Sequence, residues 1–174
     1  MSQVVTIRNR HRARAVDLLL LRRIVHELLS GLPQIKHADL GIFLVAASEM
    51  THLNETFLHH AGSTDVITFD YTPPPPSSRS PIGWERAGAR VLHGEIFICL
   101  DEAIRQARRF RTTWQSELVR YIVHGVLHLR GHDDRRAADR RKMKHEEDRL
   151  LRPLLKPFSI GSLVRQPART VHNL

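Results

Sequence analysis

Hydrophobic residues recur along this chain at one of two periods, and the switches between them outline the elements. Val4 to Ile7 is a short β-branched run and predicts a strand. From Ala13 to Leu29 the residues Val16, Leu19, Leu20, Ile24, Val25 and Leu28 return at helical spacing, and Gly31 and Pro33 end the pattern. Leu40 to Ala46 is an unbroken apolar run of strand length. Ser48 is placed to cap a helix through Met50, Leu53 and Phe57 to about His60, closed by Gly62. Val66, Ile67 and Phe69 predict a strand within Ser63 to Phe69, entered from a polar turn at Thr64 and Asp65. Val91 to Ile98 predicts another, in which Gly94 marks a bulge or a close approach. Asp101 to Arg109 reads as a helix with Arg105, Arg108, Arg109 and then Arg111 as a basic stripe. Thr112 or Thr113 caps the next helix, where Leu118, Val119, Ile122, Val123, Val126 and Leu127 form a broad apolar stripe. Arg135 to Leu150 is a further helix whose thin apolar face, Ala138, Met143, Leu150 and Leu151, suits a surface position.

The order strand, helix, strand, helix, strand, strand, helix, helix, helix predicts an α/β fold: a single domain with a small mixed β-sheet packed by about five helices. The link from Phe69 to Val91 joins two strands directly, so at least one pair is antiparallel. Pro73 to Pro81 lacks core-forming periodicity and reads as a surface connection. Residues 1–152 are expected to form the domain that holds the site. Residues 153–174, with three prolines, Lys156, Arg165 and Arg169 but no acid, are expected to be a loosely held basic tail. No internal repeat is visible.

Composition narrows the function classes. The 174 residues are 41% hydrophobic, enough for a real core, and no apolar run is long enough to cross a bilayer. The one cysteine, Cys99, excludes an internal disulfide, fits a reducing compartment and lies in an apolar run that suggests packing. No hydrophobic leader core opens the chain, and the arginine-rich stretch Arg8 to Arg14 is flanked by predicted elements, so a cytoplasmic location is expected. Lys and Arg number 27 against 18 Asp and Glu, a formal charge of +9 that favours a polyanion, with nucleic acid the first candidate.

The chemistry concentrates in Val123 to Asp134, VHGVLHLRGHDD. His124 and His128 are four apart, so on a helix they sit about 40° apart on one face, as a two-point metal clamp requires. Gly131 is placed to end the helix in a left-handed turn, after which His132, Asp133 and Asp134 can fold back. One of them would complete three protein ligands and leave a position open for water. Glu117, two turns before His124, is either a support for that site or solvated, and no general base is evident.

His124, Gly125, Leu127, His128, Leu129, Gly131, Asp133 and Asp134 resemble the metal-binding signature of the YbeY family, single-strand-specific endoribonucleases of bacterial ribosomal RNA maturation. Leu53, Asn54, Thr64, Asp65, Val66 and Phe69 resemble a second stretch of the same family, and Gly94 with Glu95 its Gly-Asp-Ile strand. The resemblance spans roughly Leu40 to Leu150. It implies one sheet packed by helices, with a metal in a cleft beside the motif helix. It implies His124, His128 and Asp134 as ligands of one zinc ion per chain; His132 is the competing third ligand, and Asp133 is an alternative ligand or a residue that orients a ligand or the loop. Family members usually have histidine where Asp134 stands; the aspartate lowers the site's charge and broadens metal choice towards manganese, iron or nickel. They usually have an arginine where Leu58 follows Phe57, and His59 and His60 are the nearby groups able to contact phosphate instead.

The implied activity is hydrolysis of RNA phosphodiesters by a metal-activated water, with ribosomal RNA precursor and ribosomal subunits as partners and no membrane. A metal-stabilised, non-catalytic RNA-binding assembly factor is the alternative that Leu58 favours. A zinc protease shares the histidine spacing, but there a glutamate follows the first histidine and here Gly125 does, so Glu117 or Glu95 would have to supply the base.

Overall fold

In the computed structural model, which describes residues 2–73, 90–155 and 160–164, the first strand β1 (Ser2–Asn9) buries Val5 and Ile7 and turns their neighbours outward. It pairs in parallel with β2 (Ile35–Val45), Ser2 opposite His37 through Asn9 opposite Leu44. The crossover between them carries α1 (Leu18–Ser30). This helix begins at Leu18 rather than Ala13 because Asp17 is its N-cap, its carboxylate accepting from the Leu19 and Leu20 amides. The residues before it are held in a turn by Asn9, whose side chain donates to the Arg14 carbonyl at 2.7 Å.

The helix α2 (Ala47–Leu53) continues into a wider π turn over Asn54–Leu58. Ser48 does not cap it. Ala46 is the N-cap residue, and the Ala47 amide donates at 2.7 Å to the carboxylate of Asp101, 54 positions along the chain. The helix stops at His59, whose φ of 57° is left-handed, rather than at Gly62; the buried Asn54 side chain ties the turn by donating to the Gly62 carbonyl.

The strands β3 (Val66–Asp70) and β4 (Arg90–Cys99) complete a sheet of order β1-β2-β4-β3. The strand β4 runs parallel to β2 and antiparallel to β3, so the sheet is mixed. One sheet face, with Leu40, Ile42, Leu44, Leu92, Ile96 and Ile98, faces the main core. The other carries Val45, Ile67 and Phe97, which pack with Met50 of α2, and Phe43 stacked on Phe97 at 4.7 Å between ring centres.

Three helices follow: α3 (Leu100–Phe110), α4 (Trp114–Leu129) and α5 (Ala137–Leu155). Two glycines let α4 lie directly on β4. A Cβ on Gly125 would fall 2.6 Å from Ile96 Cγ2, and one on Gly94 would fall 2.4 Å from the Phe69 carbonyl and 2.9 Å from Leu129 Cδ2. Gly94 therefore marks a close approach and no bulge; the irregularity of β4 pairing lies opposite Ile35 to His37. The last helix is longer and more deeply set than its charge pattern suggests, with Met143, Leu150, Leu151 and Leu154 buried. The expected tail boundary at residue 153 thus falls inside α5. Farther on, Leu163 is buried and Val164 bridges to Val16. The proline-rich stretch beyond Pro73 and most of the expected tail, residues 156–159 and 165–174, lie outside the described residues.

Together these are one mixed four-stranded sheet and five α-helices, the α/β architecture that the periodicity predicts.

Candidate metal centre

The two ends of α4 set the site. At its start, the Thr113 side chain accepts from the Ser116 amide at 3.2 Å in a capping box. At its finish, Gly131 has φ +84°; its amide donates to the His128 carbonyl at 2.8 Å, and the His132 amide reaches the Leu127 carbonyl at 3.0 Å. This pair of bonds closes the helix and reverses the chain, returning residues 132–134 towards the face that holds the histidines.

His124 and His128 stand one turn apart with their Nε2 atoms 3.0 Å from each other. His124 Nδ1 lies 3.2 Å from Glu147 Oε2, and His128 Nδ1 lies 3.1 Å from the His132 carbonyl. Both of those oxygens can only accept, so each Nδ1 carries a proton, and in the neutral ring Nε2 presents the lone pair. With both rings neutral, two lone pairs at that distance repel unless a proton on one Nε2 or a shared cation lies between them. Nitrogens about 2.0–2.1 Å from one shared ion stand roughly 2.9–3.4 Å apart, so the donor spacing fits a metal. Asp134 Oδ2 is 3.9 Å from His124 Nε2, and one ligand atom from each of the three residues lies within 4.8 Å of the others. The group His124, His128 and Asp134 can therefore hold a metal ion, and its half-exposed carboxylate has room to close.

Charge around the pair is uneven. Burial presses His124 towards the neutral form, but the hydrogen bond and charge of Glu147, joined by Asp65 and Asp134, outweigh it and raise its pKa. Burial, and then the charge of His124, hold His128 below its ordinary value. Glu147 is buried, which alone would raise its pKa, yet hydrogen bonds from His124, Lys144 and Arg120 bring it down to about 2. It is the hub of a ladder. Thr112 donates its hydroxyl to Glu117 at 2.6 Å, Glu117 pairs with Arg120 at 3.6 Å, and Arg120 donates to Glu147 at 2.7 Å.

Glu117 is thus buried and bonded rather than solvated, and it reaches His124 only through Arg120 and Glu147. His132 supplies its backbone carbonyl to the site, and its imidazole is not in the convergent group. Asp133 is exposed and accepts from the Arg135 amide at 3.1 Å, which shapes the loop; Arg140 Nε donates to the Asp134 carbonyl at 2.9 Å. His59 and His60 are exposed beyond the π turn, and among the described residues no hydrogen bond or ion pair joins either imidazole to the cluster. Leu58 is 45% exposed. Glu147, Arg120 and Arg140 are the contributors that the sequence reading passes over. A signal for Glu147 does exist, since it shares the apolar face of α5 with Met143, Leu150 and Leu151.

The geometry leaves neither position 125 nor Glu95 as the base that the protease alternative needs. Position 125 points into Ile96 of β4, so a residue there cannot serve the site. Glu95 lies on the opposite sheet face from Ile96, where it accepts from the Tyr71 hydroxyl at 3.0 Å.

Comparison with known proteins agrees with this picture. The family model described as Endoribonuclease YbeY matches residues 6–155, from β1 to the end of α5. A protein named Endoribonuclease YbeY from Salinibacter ruber is 30% identical over 151 residues, covering 87% of this chain and 92% of its own. One of the same name from Chlorobium luteolum is 35% identical over 144 residues, covering 82% and 93%. A Thermotoga maritima protein known from its solution structure shares the fold, with a TM-score of 0.57 at 24% identity over 87% of this chain and 89% of that one. Since the matched span takes in β2 to β4, half of β1, the ladder and the histidine pair, the chain belongs to the YbeY endoribonuclease family.

Proposed function

We propose that this protein is a metal-dependent, single-strand-specific endoribonuclease that acts on ribosomal RNA precursors in the cytoplasm. The observation that carries this reading is the convergence of two Nε2 atoms at 3.0 Å beside Asp134, in a chain of an endoribonuclease family. His124, His128 and Asp134 would hold a divalent ion, zinc before others, which would supply Lewis-acid chemistry for acidifying water and offsetting charge on a phosphoryl oxygen.

The protein's own part is to bind and orient. Glu147 Oε2 holds the Nδ1 proton of His124, and the His132 carbonyl that of His128, so ring angle and tautomer are set before a ligand arrives. Asp134 gives the donor set an anionic oxygen and widens it to manganese, iron or nickel. The excess of cationic side chains supports RNA as the substrate, and ribosomal subunits are the proposed further partner. His59 and His60 are the proposed phosphate contacts in place of what Leu58 cannot supply.

The test is cleavage of a labelled single-stranded RNA at low salt. Metal-loaded protein is expected to cut it, and both chelation and His124→Ala are expected to abolish cutting. His59→Ala and His60→Ala are each expected to slow it, and unchanged rates in both remove them from the site. Tight binding with no cleavage by the loaded protein would replace this reading with the assembly-factor one.

A further inference from the structure

The corner between α3 and α4 carries a charge pattern that the metal centre does not use. Arg105 is engaged by Glu102 on its own helix. Arg108, Arg109 and Arg111 are exposed, and among the described residues none of them, nor Arg14, is ion-paired with a carboxylate. Two aromatic rings sit among these cations. The Arg109 guanidinium lies 5.4 Å from the ring centre of Phe110, which is 61% exposed, and the Arg14 guanidinium lies 5.4 Å from that of Trp114.

The corner is also held in shape. Arg111 has φ 55°, a left-handed conformation that a side chain with a Cβ adopts at a cost. The Thr112 amide bonded to the Ala107 carbonyl, the Thr112 hydroxyl on buried Glu117 and the capping box at Thr113 keep it there. Trp114 precedes His124 on the same helix by about 15 Å of axial rise.

An exposed ring flanked by unpaired guanidinium groups is the chemistry that holds single-stranded nucleic acid: bases stack on the ring and phosphates meet the cations. We infer that Arg108, Arg109, Phe110 and Arg111, with Arg14 and Trp114, form a docking site for single-stranded RNA separate from the metal centre. Phe110 stacks a base, and the arginines contact the phosphates on either side. The choice of RNA rests on the ribonuclease reading above, so docking is measured without metal, where the two can fail separately.

The experiment is a fluorescence-anisotropy titration of a labelled single-stranded RNA of about 12 nucleotides with the full chain in chelator at several salt concentrations. Phe110→Ala is expected to weaken binding by about five-fold or more. The double variant Arg108→Gln with Arg109→Gln is expected to lower the slope of log affinity against log salt by roughly 0.7 for each phosphate left without its arginine. Both substitutions are on exposed side chains, and an unchanged melting temperature verifies the fold. Affinity within about two-fold of the wild type in both variants overturns the inference. So does binding of an RNA duplex, or of polyglutamate, that equals the single strand and responds equally to Phe110→Ala. If the variants weaken docking while the metal-loaded wild type cuts no RNA, the docking site stands and the ribonuclease reading falls; cleavage with docking insensitive to the corner has the opposite meaning.

Discussion

At Glu147 burial and charge pull in opposite directions. The side chain is almost inaccessible, yet His124, Lys144 and Arg120 all hydrogen-bond to it, and their combined effect brings its pKa from the ordinary 4.5 to about 2. A carboxyl whose folded pKa lies below its unfolded value stabilises the fold above about pH 4.5, and that contribution is lost as the pH falls towards 2. The shift corresponds to roughly 3 kcal/mol. Glu147→Gln is therefore expected to lower the melting temperature at neutral pH and to flatten its fall between pH 4.5 and 2. Parallel pH profiles for the two proteins would show that the ladder does not carry this energy. Gly125 acts by what it lacks: with Ile96 Cγ2 2.6 Å from where a Cβ would sit, any side chain pushes α4, and the histidines on it, off the sheet.

Among the elements, α4 is a core helix and a ligand carrier at once. Its buried face is continuous from Leu118 to Leu129, while His124 and His128 are only half-buried. What brings Asp134 to them is the turn at Gly131, whose φ of +84° strains a residue that carries a Cβ. Gly131→Ala is expected to cost about 1–2 kcal/mol, and by displacing residues 132–134 to weaken zinc binding by about ten-fold. Gly131→Asn is expected to recover part of both, since asparagine tolerates the left-handed region better. Calorimetric zinc titration of the three proteins separates the effects; wild-type zinc affinity in Gly131→Ala would mean that the turn does not place the third ligand.

Over the whole molecule, an ion held by His124, His128 and Asp134 would join α4 to the loop at Asp134 and, through His124 and Glu147, to α5. A ligand that binds only the folded state at about 100 times its Kd stabilises by about 2.7 kcal/mol, which in a chain of this size is roughly 5–10 °C in melting temperature. Zinc is expected to raise the melting temperature by that order, chelation to reverse the rise, and His124→Ala to abolish it. An equal rise in the variant would place the ion elsewhere. Much of this arrangement is legible from residues alone. The five helices and four strands follow from apolar periodicity, because burial on one face is a local property of each segment. The spacing of His124, His128 and Gly131 is equally local, since a helix and its terminal turn are set by residues within a few positions. What remained hidden depends mostly on groups distant in the chain. Asp101 caps α2 in place of Ser48, and Glu147 is drawn under His124 from 23 positions away. The same holds for the unpaired arginines at the α3–α4 corner, where the basic stripe was visible but its surroundings were not. Hydrophobic pattern and turn chemistry thus determined the elements, their order and the candidate ligands. Only the packing of α4 between β4 and α5 decided the tautomers, the charge ladder and which loop residue faces the cluster, because those rest on neighbours that no local stretch of sequence contains.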